Sequence, residues 1–184
     1  MPNWCSNTIT IQGSTETLKT LWDEANETGL LQAMRPLPKE LEGTTAPSPD
    51  DGSQPVVDGC TDWYQWCVNN WGTKWDVDVE GLEYTDAGDG TSSITGWFDS
   101  AWAPPIDAYN YFLDDMDGVS LTATYYEPGM DFLGEYDNGD DNFYDGVVEL
   151  VQQDAMRDDE TLARLVSDYA IEEDLDFYAD EETA

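Results

Sequence analysis

YYEPGMDFLGEYDNG, residues 125–139, is the stretch whose reading decides the fold. The chain enters it as a strand. Leu121, Ala123 and Tyr125 alternate with Thr122, Thr124 and Tyr126, and a strand turns successive side chains to opposite faces. At Pro128–Gly129 a type II turn is expected, with proline fixing one backbone angle and glycine supplying the positive φ. Residues 132–136 return as the partner strand, and Asn138–Gly139 suits the next hairpin reversal. Glu127 and Glu135 fall among aromatic residues, where a carboxylate must be hydrated or paired.

Toward the N-terminus, Ala108, Tyr109, Phe112, Leu113 and Met116 give the apolar face of a helix that starts near Pro105 and stops at Gly118. Before it, residues 75–84 and 92–100 read as a hairpin joined by the Gly/Asp loop 86–90. Trp75, Val77 and Val79 alternate there with Asp76, Asp78 and Glu80. Thr61 is the expected cap of a short helix carrying Trp63, Trp66, Cys67 and Asn70. Residues 43–59, rich in Pro, Ser, Gly and Asp, read as a loop. At the start, Thr8, Ile9, Thr10 and Ile11 form a strand, and Ser14 caps a helix bearing Leu18, Leu21, Trp22 and Ala25. Toward the C-terminus, residues 143–150 offer an edge strand. Residues 154–184 read as helical, with Leu162, Leu165, Val166 and Tyr169 in one stripe.

The first part thus runs strand, helix, strand, strand, helix, strand. That order implies an α+β fold, a ferredoxin-like βαββαβ sandwich with two helices on one face of an antiparallel sheet. Residues 1–150 make this domain, with an insertion over 30–70, and residues 151–184 make an acidic helical tail. Trp71, Trp75 and Trp102 are expected in one sheet-and-helix core.

The 184 residues include 41 acids against 6 bases, a net charge of −35, unevenly spread as −3 over residues 1–42, −15 over 43–130 and −17 over 131–184. With 8 Trp, 10 Tyr and 5 Phe, the chain is nevertheless too aromatic for an acidic disordered tail. Few cations are available to displace phosphate counterions, so direct binding of nucleic acid or an anionic membrane is excluded. Two readings of the acid excess stand side by side. Carboxylates can imitate a nucleic-acid backbone and occupy a basic groove on a protein partner. They can also be a solvating coat suited to salty surroundings, where the Debye length falls to about 3 Å at 1 M; Asp (26) exceeding Glu (15) fits that reading. The acids expected to meet a basic partner are Asp137, Asp140, Asp141, Asp158, Asp159, Glu160, Glu172, Glu173 and Asp174. The first residues lack the basic region and apolar run of a signal peptide, and no stretch approaches the ~20 apolar residues of a membrane span. A cytoplasmic location is expected.

With no histidine, Ser-His-Asp and Cys-His catalysis are excluded. Three dispersed cysteines fit neither a disulfide framework nor an all-thiolate zinc site. Phosphate-cradling glycine motifs are absent. Residues 114–118 and 137–141 are acid-rich, but placing either glycine at the invariant turn position of a calcium loop sets Leu113 or Gly134 at the first ligand. No cofactor or metal is expected. The Trp-rich segments 63–75 and 97–102 suit either a sugar-stacking platform or the core and its rim.

Four segments, MPNWCSN at the start, WGTKWD at 71–76, FDSAWAPP at 98–105 and the 125–139 stretch, together resemble the YubB ferredoxin-like domain family, small proteins of phages and conjugative plasmids. The resemblance covers about residues 1–140 and implies the fold and a mobile-element setting. It implies no reaction. The acidity and the segment after residue 150 depart from the family pattern. Within the shared motifs, Lys74 lies between Trp71 and Trp75 as the sole base between residues 40 and 156. With Trp102, Glu127 and Glu135 it is the candidate site: an ion pair sheltered by rings that staples the second and fourth strands, or a pocket for a small ligand.

Overall fold

In the computed structural model, which describes residues 3–49 and 52–173, β1 (Trp4–Ser14) is the central strand. It pairs on one side with β3 (Thr91–Ala101) and on the other with β4 (Ser120–Glu127). β2 (Leu82–Asp86) borders β3, while β5 (Phe132–Asp137) and β6 (Asp140–Asp145) follow β4. The sheet order is β2-β3-β1-β4-β5-β6, and every neighbouring pair is antiparallel. The molecule is therefore α+β, built on a six-stranded antiparallel sheet.

Residues directly opposite across antiparallel strands share a face. One face carries Ile9, Ile11, Ile94, Phe98, Leu121, Ala123 and Tyr136, all buried in the main core. Over it lie α1 (Thr15–Thr28), α2 (Leu30–Met34), α3 (Trp63–Asn70) and α4 (Ile106–Asp115), which bury Leu18, Leu21, Leu30, Leu31, Trp66 and Phe112. Ser14 caps α1 by accepting the Thr17 N–H at 3.1 Å. The other face carries Leu133 and Tyr126. There α5 (Val147–Gln152) and α6 (Glu160–Asp168) add a second apolar cluster through Val147, Leu162, Leu165 and Val166. Of the helix expected over 154–184, α6 covers Glu160–Asp168 and packs Leu162, Leu165 and Val166 against the sheet. Ala155–Arg157 form a separate 3-10 turn, and residues 174–184 lie outside the described residues.

Several local expectations are corrected. Residues 75–81 are not strand; β2 begins at Leu82. The Asp76 carboxylate accepts N–H groups from Leu31 (2.7 Å), Gln32 (3.0 Å) and Val77 (2.8 Å), and the Val77 carbonyl accepts from Leu30. This segment is a strap across the start of α2, although its alternation imitates a strand. The turn after β4 is not type II, since the positive φ (59°) belongs to Asp131 and not to Gly129. Glu127 instead accepts the Gly129 (2.8 Å) and Met130 (2.5 Å) N–H groups, and a side chain on Gly129 would press into Asn3. The edge strand expected over 143–150 is β6, which ends at Asp145; α5 follows, with Asp131 accepting the Val148 N–H at 3.1 Å. Asp62, not Thr61, caps α3. α4 ends at Asp115, where Met116 turns extended, rather than at Gly118.

Candidate functional site

On the sheet face opposite the main core, β1 presents Trp4, Ser6, Thr8, Thr10 and Gln12, and β3 presents Ser93, Thr95, Trp97 and Asp99. α6 and the Tyr169 that follows it cover the β4–β5 side and reach β1: Arg164 binds Glu135 at 2.7 Å, and the Tyr169 hydroxyl meets Thr124 at 3.1 Å and donates to the Ser6 carbonyl at 3.4 Å. On the β1–β3 side Ser6, Thr8, Gln12, Trp97 and Asp99 are exposed. Two of these positions hold large apolar rings: Trp97 is 62% exposed and Trp4 48%. An indole so open on a strand face otherwise occupied by Ser93, Thr95 and Asp99 is unusual for a surface, where contiguous apolar patches mark binding sites.

The strap over residues 75–81 closes one side of a groove of about 320 Å³ between Trp4, Trp75, Trp97, Asp78, Glu80 and Asp99. Trp4 and Trp75 pack with ring centroids 6.1 Å apart. Trp97 rests on Gly81, where a Cβ would lie 3.1 and 3.2 Å from the two carbons of the indole fusion bond. Those carbons are interior to the bicycle, so Gly81 covers one face of the ring. Asp99 is fixed by the Ser6 hydroxyl at 3.0 Å, while Asp78 and Glu80 extend into solvent. Burial keeps the Asp76 carboxyl above the ordinary carboxylate range in spite of its three N–H donors. The groove can stack flat groups on indole and attract cations with carboxylates.

Beside it, the Lys74 ammonium lies 4.3 Å from the Trp75 ring, 5.2 Å from Trp102 and 5.7 Å from Tyr64. Trp102 holds a φ of 73°, a strained conformation for a bulky residue, with its N–H bound to the Asn3 carbonyl at 2.9 Å. The structure therefore brings together Lys74, Trp75 and Trp102 but not the two glutamates. Among the described residues Lys74 joins no ion pair. Glu127 is buried (1% exposed) and faces Phe132, whereas Glu135 faces Thr124 across the same hairpin. The pleat thus sets the glutamates on opposite sides of the sheet. Trp71 is buried against Trp66 and donates to the Arg35 carbonyl at 2.8 Å; Trp75 and Trp102 are 39% and 38% exposed, so the three tryptophans share no core.

The acids expected to bind a partner occupy two places. Asp137, Asp140 and Asp141 surround the β5–β6 turn, with Asp141 accepting the Tyr125 hydroxyl at 2.7 Å. Asp158, Asp159 and Glu160 start α6. Asp159 caps it by accepting the Leu162 N–H at 3.0 Å, which holds its carboxyl below the ordinary range, and also takes the Tyr144 hydroxyl. Glu172 and Glu173 are exposed beyond α6, and Asp174 lies outside the described residues. The candidate site drawn from the sequence leaves out Trp4, Asp78, Glu80, Trp97 and Asp99, although Trp97 opens the Trp-rich segment 97–102 that suits a stacking platform. The usable signal was parity, because Trp97 shares its face with Thr95 and Asp99, and Trp4 with Ser6 and Thr8. Among the described residues no group of three or more His, Cys, Asp or Glu is arranged to hold a metal ion, and no helix is long and apolar enough to cross a membrane.

No known family matches the chain, and no curated protein does. The crystal structure of protein api92 from Yersinia pseudotuberculosis, of the DUF1281 family, is similar at 19% identity over 48% of this chain and 32% of that one, with a TM-score of 0.33. The chain thus spans about a third of that structure's length, and a likeness so partial carries neither fold nor function across.

Proposed function

We propose that the protein is a non-catalytic interaction protein that takes a basic segment of a protein partner into the groove between Trp4, Trp75 and Trp97. The observation that carries this reading is the coincidence of exposed indoles with Asp78, Glu80 and Asp99 around one groove on a chain of net charge −35. A cation is drawn there by the field of the whole molecule and held by ring faces. Proteins that grip nucleic acid offer such cationic segments. Imitation of nucleic acid, blocking a host defence or DNA-binding protein in the host cytoplasm, is the role that fits. The phage or mobile-element setting rests on the YubB resemblance. The order β4-β1-β3-β2 interleaves two strand–helix–strand units, which supports a ferredoxin-like sandwich lengthened by β5 and β6.

Calorimetric titration of the full chain with a lysine-rich decapeptide tests the reading. Binding is expected to weaken at least about tenfold between 0.05 and 0.5 M NaCl, because salt screens exposed charge pairs. It is expected to fall similarly in the triple variant Asp78→Asn, Glu80→Gln, Asp99→Asn. Undiminished binding by that variant removes the groove from the interaction. Heat with oligosaccharides but none with the peptide makes the indoles a sugar platform and overturns the proposal.

A further inference from the structure

We infer that the ligand of this groove is an arginine side chain, its guanidinium stacked on the open face of Trp97 with Asp99 at its edge. The inference rests on the basic-partner reading and narrows it. Trp97 is the most exposed of the four surface tryptophans, and Gly81 backs it with no side chain, so one ring face is supported from beneath and the other meets solvent. Such a ring is a preorganised platform, and the planar, weakly hydrated guanidinium stacks on it far better than a compact ammonium. Asp99 stands two residues along the same strand, about 7 Å away on the same face. Its Oδ1 is held by Ser6, which fixes the carboxylate and leaves Oδ2 to accept a guanidinium N–H. A stacked guanidinium with N–H groups directed to acceptors at its edge already occurs among the described residues. The Arg35 guanidinium lies 4.6 Å from the Tyr111 ring and 5.6 Å from Trp66, and donates to the Asn70 carbonyl at 3.0 Å and to its side-chain oxygen. The neighbouring ring site is occupied from within, since Lys74 already sits over Trp75. Trp97 is thus the groove's open platform.

Two labelled peptides of equal length and charge, one alternating Gly with Arg and the other Gly with Lys, are titrated against the full chain and against Trp97→Leu. Trp97 is a surface residue, and a native circular-dichroism spectrum and unchanged Tm verify that the variant folds. The expected result is an affinity about fivefold higher for the arginine peptide, falling to parity in Trp97→Leu while weak binding of both peptides persists. Equal affinities for the native protein overturn the arginine assignment and leave the basic-partner reading standing. A preference that survives in Trp97→Leu overturns the Trp97 platform. No binding of either peptide removes the reading beneath both.

Discussion

Gly81 lies against the face of the Trp97 indole, so close that a single added methyl group would sit 3.1 Å from the ring and inside contact distance of the Trp97 carbonyl. Gly96 repeats the crowding from the other side, because a Cβ there would strike the Gly81 carbonyl. Gly81→Ala is therefore expected to destabilise the fold by about 1–3 kcal/mol through overpacking. Trp97→Ala, at an exposed position, is expected to stay within about 0.5 kcal/mol. Urea unfolding of the two variants makes the comparison, and a neutral Gly81→Ala contradicts the contact.

Lys74 is held by three rings rather than by a carboxylate. A partly exposed cation over aromatic faces contributes about 0.5–1 kcal/mol, and methionine preserves the apolar stem. Lys74→Met should cost about 1 kcal/mol or less. A loss of about 3 kcal/mol or more would instead signal a buried ion pair.

The three thiols are buried, and burial pushes those of Cys5 and Cys67 up to about 12. Since the thiolate is the reacting form, native protein at pH 8 should leave both unmodified by an aromatic disulfide reagent over an hour. In urea all three should react within minutes. Fast labelling of either thiol in the native state would contradict this packing.

Asp159 gives the pH dependence a definite sign. The Leu162 N–H holds its folded-state carboxyl below the ordinary aspartate value of 3.8. The stability it contributes is present above that value and is lost as pH falls through the lower folded one. Asp159→Asn keeps a capping oxygen but loses the charge at the start of α6. The gap between native and variant stability should therefore be open at pH 6 and close by about pH 2, read by chemical denaturation at each pH. A gap that widens on acidification is the contrary result.

Much of the sheet is legible in residue parity. β1 and β4 alternate cleanly, Ser14 marks its helix, and Asn138–Gly139 turns with both residues at positive φ, 49° and 107°. The strap was not legible. Asp76-Val77-Asp78-Val79 has the period of a strand, and only N–H donors about 45 residues away turn Asp76 to another use. The turn after β4 fails as a type II turn because the Glu127 side chain supplies acceptors that local sequence rules assign to backbone. The site was half legible: grouping Lys74 with Trp75 and Trp102 survives, but adding both glutamates ignored the pleat. With Glu127 opposite Phe132, residue 135 must fall opposite 124 and point away from 127. Trp97, like Trp4, could have been found by the same parity, as an indole on a polar strand face.

A nitrogen–proton correlation spectrum of the full chain, with its eight indole resonances assigned, tests the groove most directly. Adding the arginine peptide is expected to move the indole signals of Trp4, Trp75 and Trp97 and to leave those of buried Trp66 and Trp71 in place. Saturable shifts confined to residues outside the groove, with Trp97 unmoved, would contradict it.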